Sequence, residues 1–172
     1  LANERRFAEA LVINVAAFFM MRRYYGSDDV YTLKAEEGIA ITRNLIGDEE
    51  NSRLALETLK RVHSRKAWHW GPDHNETLQT AGNLIDSYKR LRMYPEAVSL
   101  ARKTLASQRC ILGDMHALTL ETTCSLINVL HRNGDLEEAR ALYEKTFPVV
   151  LRVLGPTNHA VRWMQSYRRL LY

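Results

Sequence analysis

The sequence is short of most features that mark a specialised chain. Among its 172 residues there are two cysteines, Cys110 and Cys124. They stand fourteen positions apart with no Cys-x-x-Cys, which excludes a disulfide scaffold and a thiolate zinc module and makes a reduced, intracellular (cytoplasmic) setting the default. Glycine and proline are also sparse, at eight and four, while 46% of residues are hydrophobic, so the chain is globular rather than disordered. No sign of charge dominates: 24 Lys and Arg face 20 Asp and Glu, interspersed along the chain, and the net charge of +4 gives no basic block for nucleic acid or an acidic membrane. The longest apolar run, Ala10 to Met21, contains Asn14 and falls short of the roughly 20 residues that cross a bilayer. It reads as a buried helix. A secretory signal fits poorly too, because acids and bases from Glu4 to Glu9 precede the run and no small-residue cleavage site follows Arg22, Arg23 and Tyr24.

Catalytic signatures are missing as well. There is no Gly-rich phosphate loop, no His-Glu-x-x-His and no Gly-x-Ser-x-Gly, so enzyme activity is not expected. The adjacent acid pairs Glu36-Glu37 and Glu137-Glu138 would point about 100 degrees apart on a helix, and a solvated face is the expected account. No cofactor or metal is called for: His69 lacks a ligand at metal spacing, and His74 and His116 are expected to cap or pack near helix starts. Both cysteines are expected to be buried or half-buried.

What the chain does have is a repeat. Glycines at 26, 71, 113 and 155 are separated by 45, 42 and 42 positions. Gly71, His74, Thr77 and Leu78 match Gly113, His116, Thr119 and Leu120, and Gly26 opens a similar phrase with Asp29 and Thr32-Leu33. The register continues between the phrases: Leu84, Tyr88, Tyr94, Glu96, Ala97 and Leu100 align with Leu126, Leu130, Leu136, Glu138, Ala139 and Leu142. Three extra residues around Glu49 to Asn51 account for the 45. The predicted units are a single array of 1–25 (second helix of a partial repeat), 26–70, 71–112, 113–154 and 155–172 (first helix of a partial repeat), so a longer protein is expected.

Each complete unit carries two runs of three-four spacing, predicting eight helices near 3–24, 31–46, 51–69, 75–91, 95–111, 117–133, 136–153 and 159–171. Asn133-Gly134-Asp135 predicts a left-handed turn followed by an N-cap carboxylate, and Pro95 suits a helix start. Neither helix of a pair can bury its stripe alone; stacked pairs would form an all-α, right-handed superhelix of antiparallel pairs.

The pattern Leu84, Tyr88, Tyr94, Glu96-Ala97 and Leu100, in 42-residue units opening on Gly-Pro-x-His, resembles the tetratricopeptide repeats of kinesin light chains. Three departures stand out: Arg92 replaces the usual turn glycine, Arg43 stands where tyrosine is expected, and Val161-Arg162 replaces the Thr-Leu pair, leaving the register of the last helix open. The resemblance implies a non-catalytic scaffold that binds peptide segments of other proteins in a concave groove lined by the first helix of each pair. Carried onto this sequence, the groove positions are Lys34, Glu37 and Asn44; Gln79, Asp86, Lys89 and Arg90; and Glu121, Asn128, His131 and Arg132. Lys89, Arg90, Asn128 and Arg132 would pair with acidic residues of an extended peptide and hold its backbone. The alternatives are ordinary solvated helix faces, or a structural or sensor segment of a larger assembly with an idle groove. Membrane insertion is not expected, nucleic acid is disfavoured by the interrupting acids, and the apolar ends would be covered by the rest of the chain or another subunit.

Overall fold

The computed structural model describes the backbone of residues 2–171 and the side chains of residues 6–168. Among the described residues, regular structure is helical throughout: α1 (Ala2–Tyr25), α2 (Val30–Ile46), α3 (Glu49–Trp70), α4 (Asn75–Arg90), α5 (Tyr94–Leu112), α6 (Ala117–Asn133), α7 (Leu136–Leu154) and α8 (His159–Leu171). Every boundary lies within two residues of its predicted place. The insertion near Glu49 lengthens a helix rather than a loop, since α3 has 22 residues where α5 and α7 have 19.

The junction before each first helix is built the same way four times. Gly26, Gly71, Gly113 and Gly155 all have positive φ, between +77° and +97°, which lets the chain leave one helix and turn at once into the next. Three residues later comes the cap. Asp29 Oδ1 accepts from the Tyr31 N–H at 2.8 Å, His74 Nδ1 from Glu76 at 3.2 Å, His116 Nδ1 from Leu118 at 3.3 Å and Asn158 Oδ1 from Ala160 at 2.8 Å. Each satisfies one of the orphan donors of a helix start, so the two histidines are caps. Three residues further, Thr32 and Thr77 donate their hydroxyls to the carbonyls of Gly26 and Gly71, at 2.7 and 2.9 Å. Val161 takes that place in the last unit, fully buried, so the register of α8 holds although the hydroxyl is gone.

The turns inside the units are less uniform. Asp48 caps α3, accepting from Asn51 N–H at 2.8 Å. Asp135 does not cap α7: its carboxylate accepts instead from the Asn133 side chain at 2.8 Å. Gly134 adopts φ +97°, and at the matching turn after α4 Arg92 adopts φ +59°, a left-handed conformation that side chains resist. In both turns the residue after the positive-φ one reaches back five positions, Met93 N–H to Tyr88 O at 2.9 Å and Asp135 N–H to Leu130 O at 3.0 Å, which closes the helix C-terminus.

The helices gather into two compact units divided between Met93 and Tyr94. In the first, α1 packs on α2, α2 on α3 and α3 on α4, and α2 also touches α4; in the second, α5, α6, α7 and α8 pack in the same serial way, with α6 touching α8. The first unit buries Leu33, Leu59, Val62 and Ile85 completely. The second is built round Leu120, Ile127, Tyr143, Val150, Met164 and Tyr167, with the Trp163 ring stacked on Tyr167 at 5.2 Å. Each such side chain contributes about 1.5–3 kcal/mol when withdrawn from water. Small residues sit where helices approach: Ala97, Ala101 and Ala139 are fully buried.

Candidate functional site

The repeat register assigns corresponding positions to the exposed faces of the first helices. Lys34, Gln79 and Glu121 share one position, Asp86 and Asn128 a second, Lys89 and His131 a third, Arg90 and Arg132 a fourth. In the first unit, α4 exposes Gln79, Asp86 and Arg90, with Lys89 half-buried and ion-paired to Asp86. On α2, Lys34 is exposed and bridges to Glu76 of α4 at 2.7 Å, while Ile41 and Leu45 stand exposed at the places of Asp86 and Arg90. In the second unit, α6 exposes Arg132, whose Nε donates to Asn128 Oδ1 at 3.1 Å; Glu121, Asn128 and His131 are half-buried, and His131 Nδ1 lies 3.3 Å from the Tyr167 hydroxyl.

Two expected surface residues are interior ones. Asn44 is only 6% exposed, and its amide donates to Ser87 Oγ at 2.7 Å, tying α2 to α4. Glu37 is equally buried, and the neighbouring Glu36 with it, so this acid pair is not a solvated face. Both carboxylates are held by cations of α3. Glu36 Oε1 accepts from Arg61, with Nε at 3.0 Å and Nη2 closer still, and Glu36 Oε2 lies 3.4 Å from Arg65 Nη1. Glu37 Oε2 accepts from Lys66 Nζ at 2.8 Å and its Oε1 from Asn83 at 2.8 Å. Lys66 is fully buried and also donates to Thr80 Oγ1 at 2.9 Å.

The register could have revealed this network. Glu36 and Glu37 occupy the places of Ala81-Gly82 and Thr123-Cys124, and Lys66 that of Gln108 and Val150; all of these but Gly82 are buried. A charge at a core position of a repeat must bring its partner. The network reaches the surface at Glu76. Burial pushes the Glu76 carboxyl up, but the hydrogen bond from Lys34 and the charges of Lys66 and Lys34 outweigh it and hold the group below its usual range. The same bond to Glu76 raises Lys34.

The cysteines do not form a reactive pair. Cys124 is buried, its thiol against Met164 Sδ at 3.3 Å, and burial followed by the Glu121 charge pushes it up to about 12, so it stays protonated at neutral pH. Cys110 is exposed rather than half-buried, because it falls on the outer side of the last turns of α5. Among the described residues no cluster of His, Cys, Asp and Glu could hold a metal, and no helix is long and apolar enough to cross a membrane.

Comparison with known proteins agrees with this geometry. Residues 119–160 match the family model described as tetratricopeptide repeat, and their 42-residue span is one period of the register. The clustered mitochondria protein homolog of Candida albicans is 21% identical over 159 residues, covering 92% of this chain; the chain spans 11% of that relative's length. Among solved structures, the nearly identical TPR-like repeats of a chain named for kinesin light chain from Podosopora anserina superpose with a TM-score of 0.76 at 21% identity, covering 94% of this chain and 78% of that one. BtubC (BKLC) from P. vanneervenii superposes with a TM-score of 0.72 at 16% identity, covering 84% of this chain and 56% of that one. Built from helix pairs with shared junctions, the chain carries a tetratricopeptide repeat at residues 119–160 and has the fold of kinesin-light-chain repeats.

Proposed function

We propose that the chain is a non-catalytic protein-interaction module of an intracellular protein, binding peptide segments rich in acidic residues along the exposed faces of its first helices. The observation that carries this reading is the recurrence of an exposed cation at one register position, Arg90 on α4 and Arg132 on α6, the latter beside the Asn128 amide. A guanidinium fork pairs with a carboxylate through two parallel hydrogen bonds, and an amide such as Asn128 or Gln79 suits a peptide backbone. Asp86 and Glu121 interrupt the cations, which favours selective recognition over binding of a polyanion such as nucleic acid.

The test is fluorescence anisotropy with a labelled peptide carrying an apolar anchor flanked by Asp and Glu. Arg90→Glu and Arg132→Glu are expected to weaken binding by about tenfold each, the scale of one charge-assisted contact, and added salt to weaken it further. Lys103→Glu, on the exposed side of the second helix α5, is the control. Arg102 is a poorer one because it pairs with Glu138 at 2.6 Å. Equal losses from Lys103→Glu and the two arginine variants would sink the reading.

A second reading, a structural segment of a larger assembly with these faces idle, is favoured by α1. Its Val12, Ile13 and Met20 are 69%, 67% and 58% exposed, an apolar surface of the kind that another chain or segment covers. Light scattering of the chain discriminates: a monodisperse monomer that still binds the peptide supports the first reading, and self-association without peptide binding supports the second.

A further inference from the structure

In the first unit α1 and α3 both pack on α2, and among the described residues they do not pack on each other. The space between them is a cavity of about 460 Å³ with α2 as its floor, to which α4 contributes nothing. Its apolar wall is formed by Phe18 and Phe19, edge to face at 5.5 Å, together with Ile39. Its polar wall carries four guanidinium groups, Arg22 of α1, Arg43 of α2 and Arg61 and Arg65 of α3, against one carboxylate, Glu36.

The four arginines are not equivalent. Arg61 is engaged by Glu36. Arg65 is engaged by Asp28, through Nε at 2.9 Å and Nη2 at 2.7 Å, and by the Ser27 carbonyl. No ion pair or hydrogen bond engages the side chains of Arg22 and Arg43 among the described residues. Arg43 is half-buried, at the register position that Tyr88 and the fully buried Leu130 fill in the other repeats. A guanidinium placed where the fold elsewhere uses an apolar side chain, without a carboxylate to neutralise it, is an expensive arrangement that a bound anion would relieve.

We propose that this cavity binds an aryl phosphate, a phosphate dianion joined to an aromatic body. The excess of positive charge suits a dianion better than a monoanion. The phosphate would lie between the open forks of Arg22 and Arg43, whose planar donors match its oxygens, and the ring against Phe18, Phe19 and Ile39. The volume lies within the roughly 300–1,000 Å³ of small-molecule sites. This site is separate from the exposed faces of α4 and α6 and does not depend on the peptide-binding reading.

Isothermal titration calorimetry of the full chain at low ionic strength tests it with phenyl phosphate, inorganic phosphate and benzyl alcohol. Saturable binding of phenyl phosphate is expected, about tenfold or more tighter than inorganic phosphate, with no measurable binding of benzyl alcohol. Arg43→Tyr installs the residue of the following repeat, and Arg22→Gln changes an exposed side chain; each is expected to weaken phenyl phosphate by about tenfold, while Lys103→Glu in the other unit leaves it unchanged. Circular dichroism of each variant establishes folding, and Arg22→Gln decides if Arg43→Tyr alters the packing. The proposal is overturned if phenyl phosphate does not bind saturably, if inorganic phosphate binds as tightly, or if folded Arg22→Gln binds like the unmodified chain.

Discussion

Replacing Arg92 by glycine is expected to stabilise the protein, although it deletes a charged side chain and adds no contact. Arg92 sits at φ +59° in the turn that closes α4, with Met93 N–H bonded back to Tyr88 O at 2.9 Å. A residue with a Cβ loses about 1–2 kcal/mol in the left-handed region, whereas glycine loses nothing there. Glycine also loosens the unfolded chain, which returns about 0.4–1 kcal/mol of that gain. The difference is a net stabilisation of about 0.5–1 kcal/mol, or roughly 1–4 °C in Tm for a chain of this size.

Gly134 supplies the reciprocal experiment. It closes α6 through the same five-residue hydrogen bond, at φ +97°, and a Cβ built on it meets nothing within 4 Å. Gly134→Ala therefore carries the backbone penalty without a clash and is expected to cost about 1 kcal/mol. Urea unfolding followed by circular dichroism measures both variants, with an unchanged m-value showing that the denatured state has not altered. Arg92→Ala is the decisive control, since alanine removes the charge and the long side chain but keeps the Cβ. If Arg92→Ala stabilises as much as Arg92→Gly, the gain comes from losing the side chain and the backbone explanation is refuted.

The buried charges give further expectations. Glu37→Leu leaves fully buried Lys66 without its nearest carboxylate and is expected to cost about 3–5 kcal/mol in urea unfolding, while adding Lys66→Met should recover most of that loss; a double variant as unstable as the single would trace the cost to packing instead. Because the folded-state pKa of Glu76 is depressed, its contribution is present above the ordinary carboxylate value of about 4.3 and is lost as pH falls through the lowered one, so Glu76→Gln should flatten part of the acid limb of a stability profile. Lys34 works in the opposite sense: its raised pKa makes its contribution complete below the ordinary lysine value and lost at alkaline pH, and Lys34→Met should flatten that limb. In the second unit Met164 is fully buried between Cys124 and the aromatic cluster, and Met164→Ala is expected to lower stability by about 2–5 kcal/mol, measured by the same unfolding assay.

The helices were legible in the sequence because two independent signals agree before each first helix: the apolar stripe stops where a glycine and a capping side chain stand at fixed offsets, with a threonine after them in three of the four. That agreement is strong enough to place α8 correctly even though Val161 has lost the threonine hydroxyl, since a valine of the same shape still fills the buried place. Side-chain roles were less legible, and for one reason. Residue type says whether a group is charged, but only the register says whether it is inside. Glu36, Glu37 and Lys66 are polar, so by composition they belong on a surface; residues at their repeat positions are buried elsewhere in the chain, and the fold accommodates the charges with ion pairs within the first unit, while Asn44, at the position of half-buried Lys89 and His131, is drawn inside by its bond to Ser87.

Departures from a repeat thus divide by how the fold answers them. Where the answer is complete, as for Lys66 with Glu37 and Thr80, the substitution is structural and explains itself. Where the answer is a backbone cost, as for Arg92, nothing near the residue benefits, and reversal should stabilise. Arg43 belongs to neither class. It is a cation at an apolar repeat position, in a cavity with three more guanidinium groups, and its side chain has no partner among the described residues. If Arg43 were merely tolerated, Arg43→Tyr should stabilise the chain at no other expense. If the cation serves an anion, the same variant should gain stability and lose phenyl phosphate together, since a site that holds an unneutralised charge in readiness gives up stability to do so. Melting and titrating that one variant side by side separates the two.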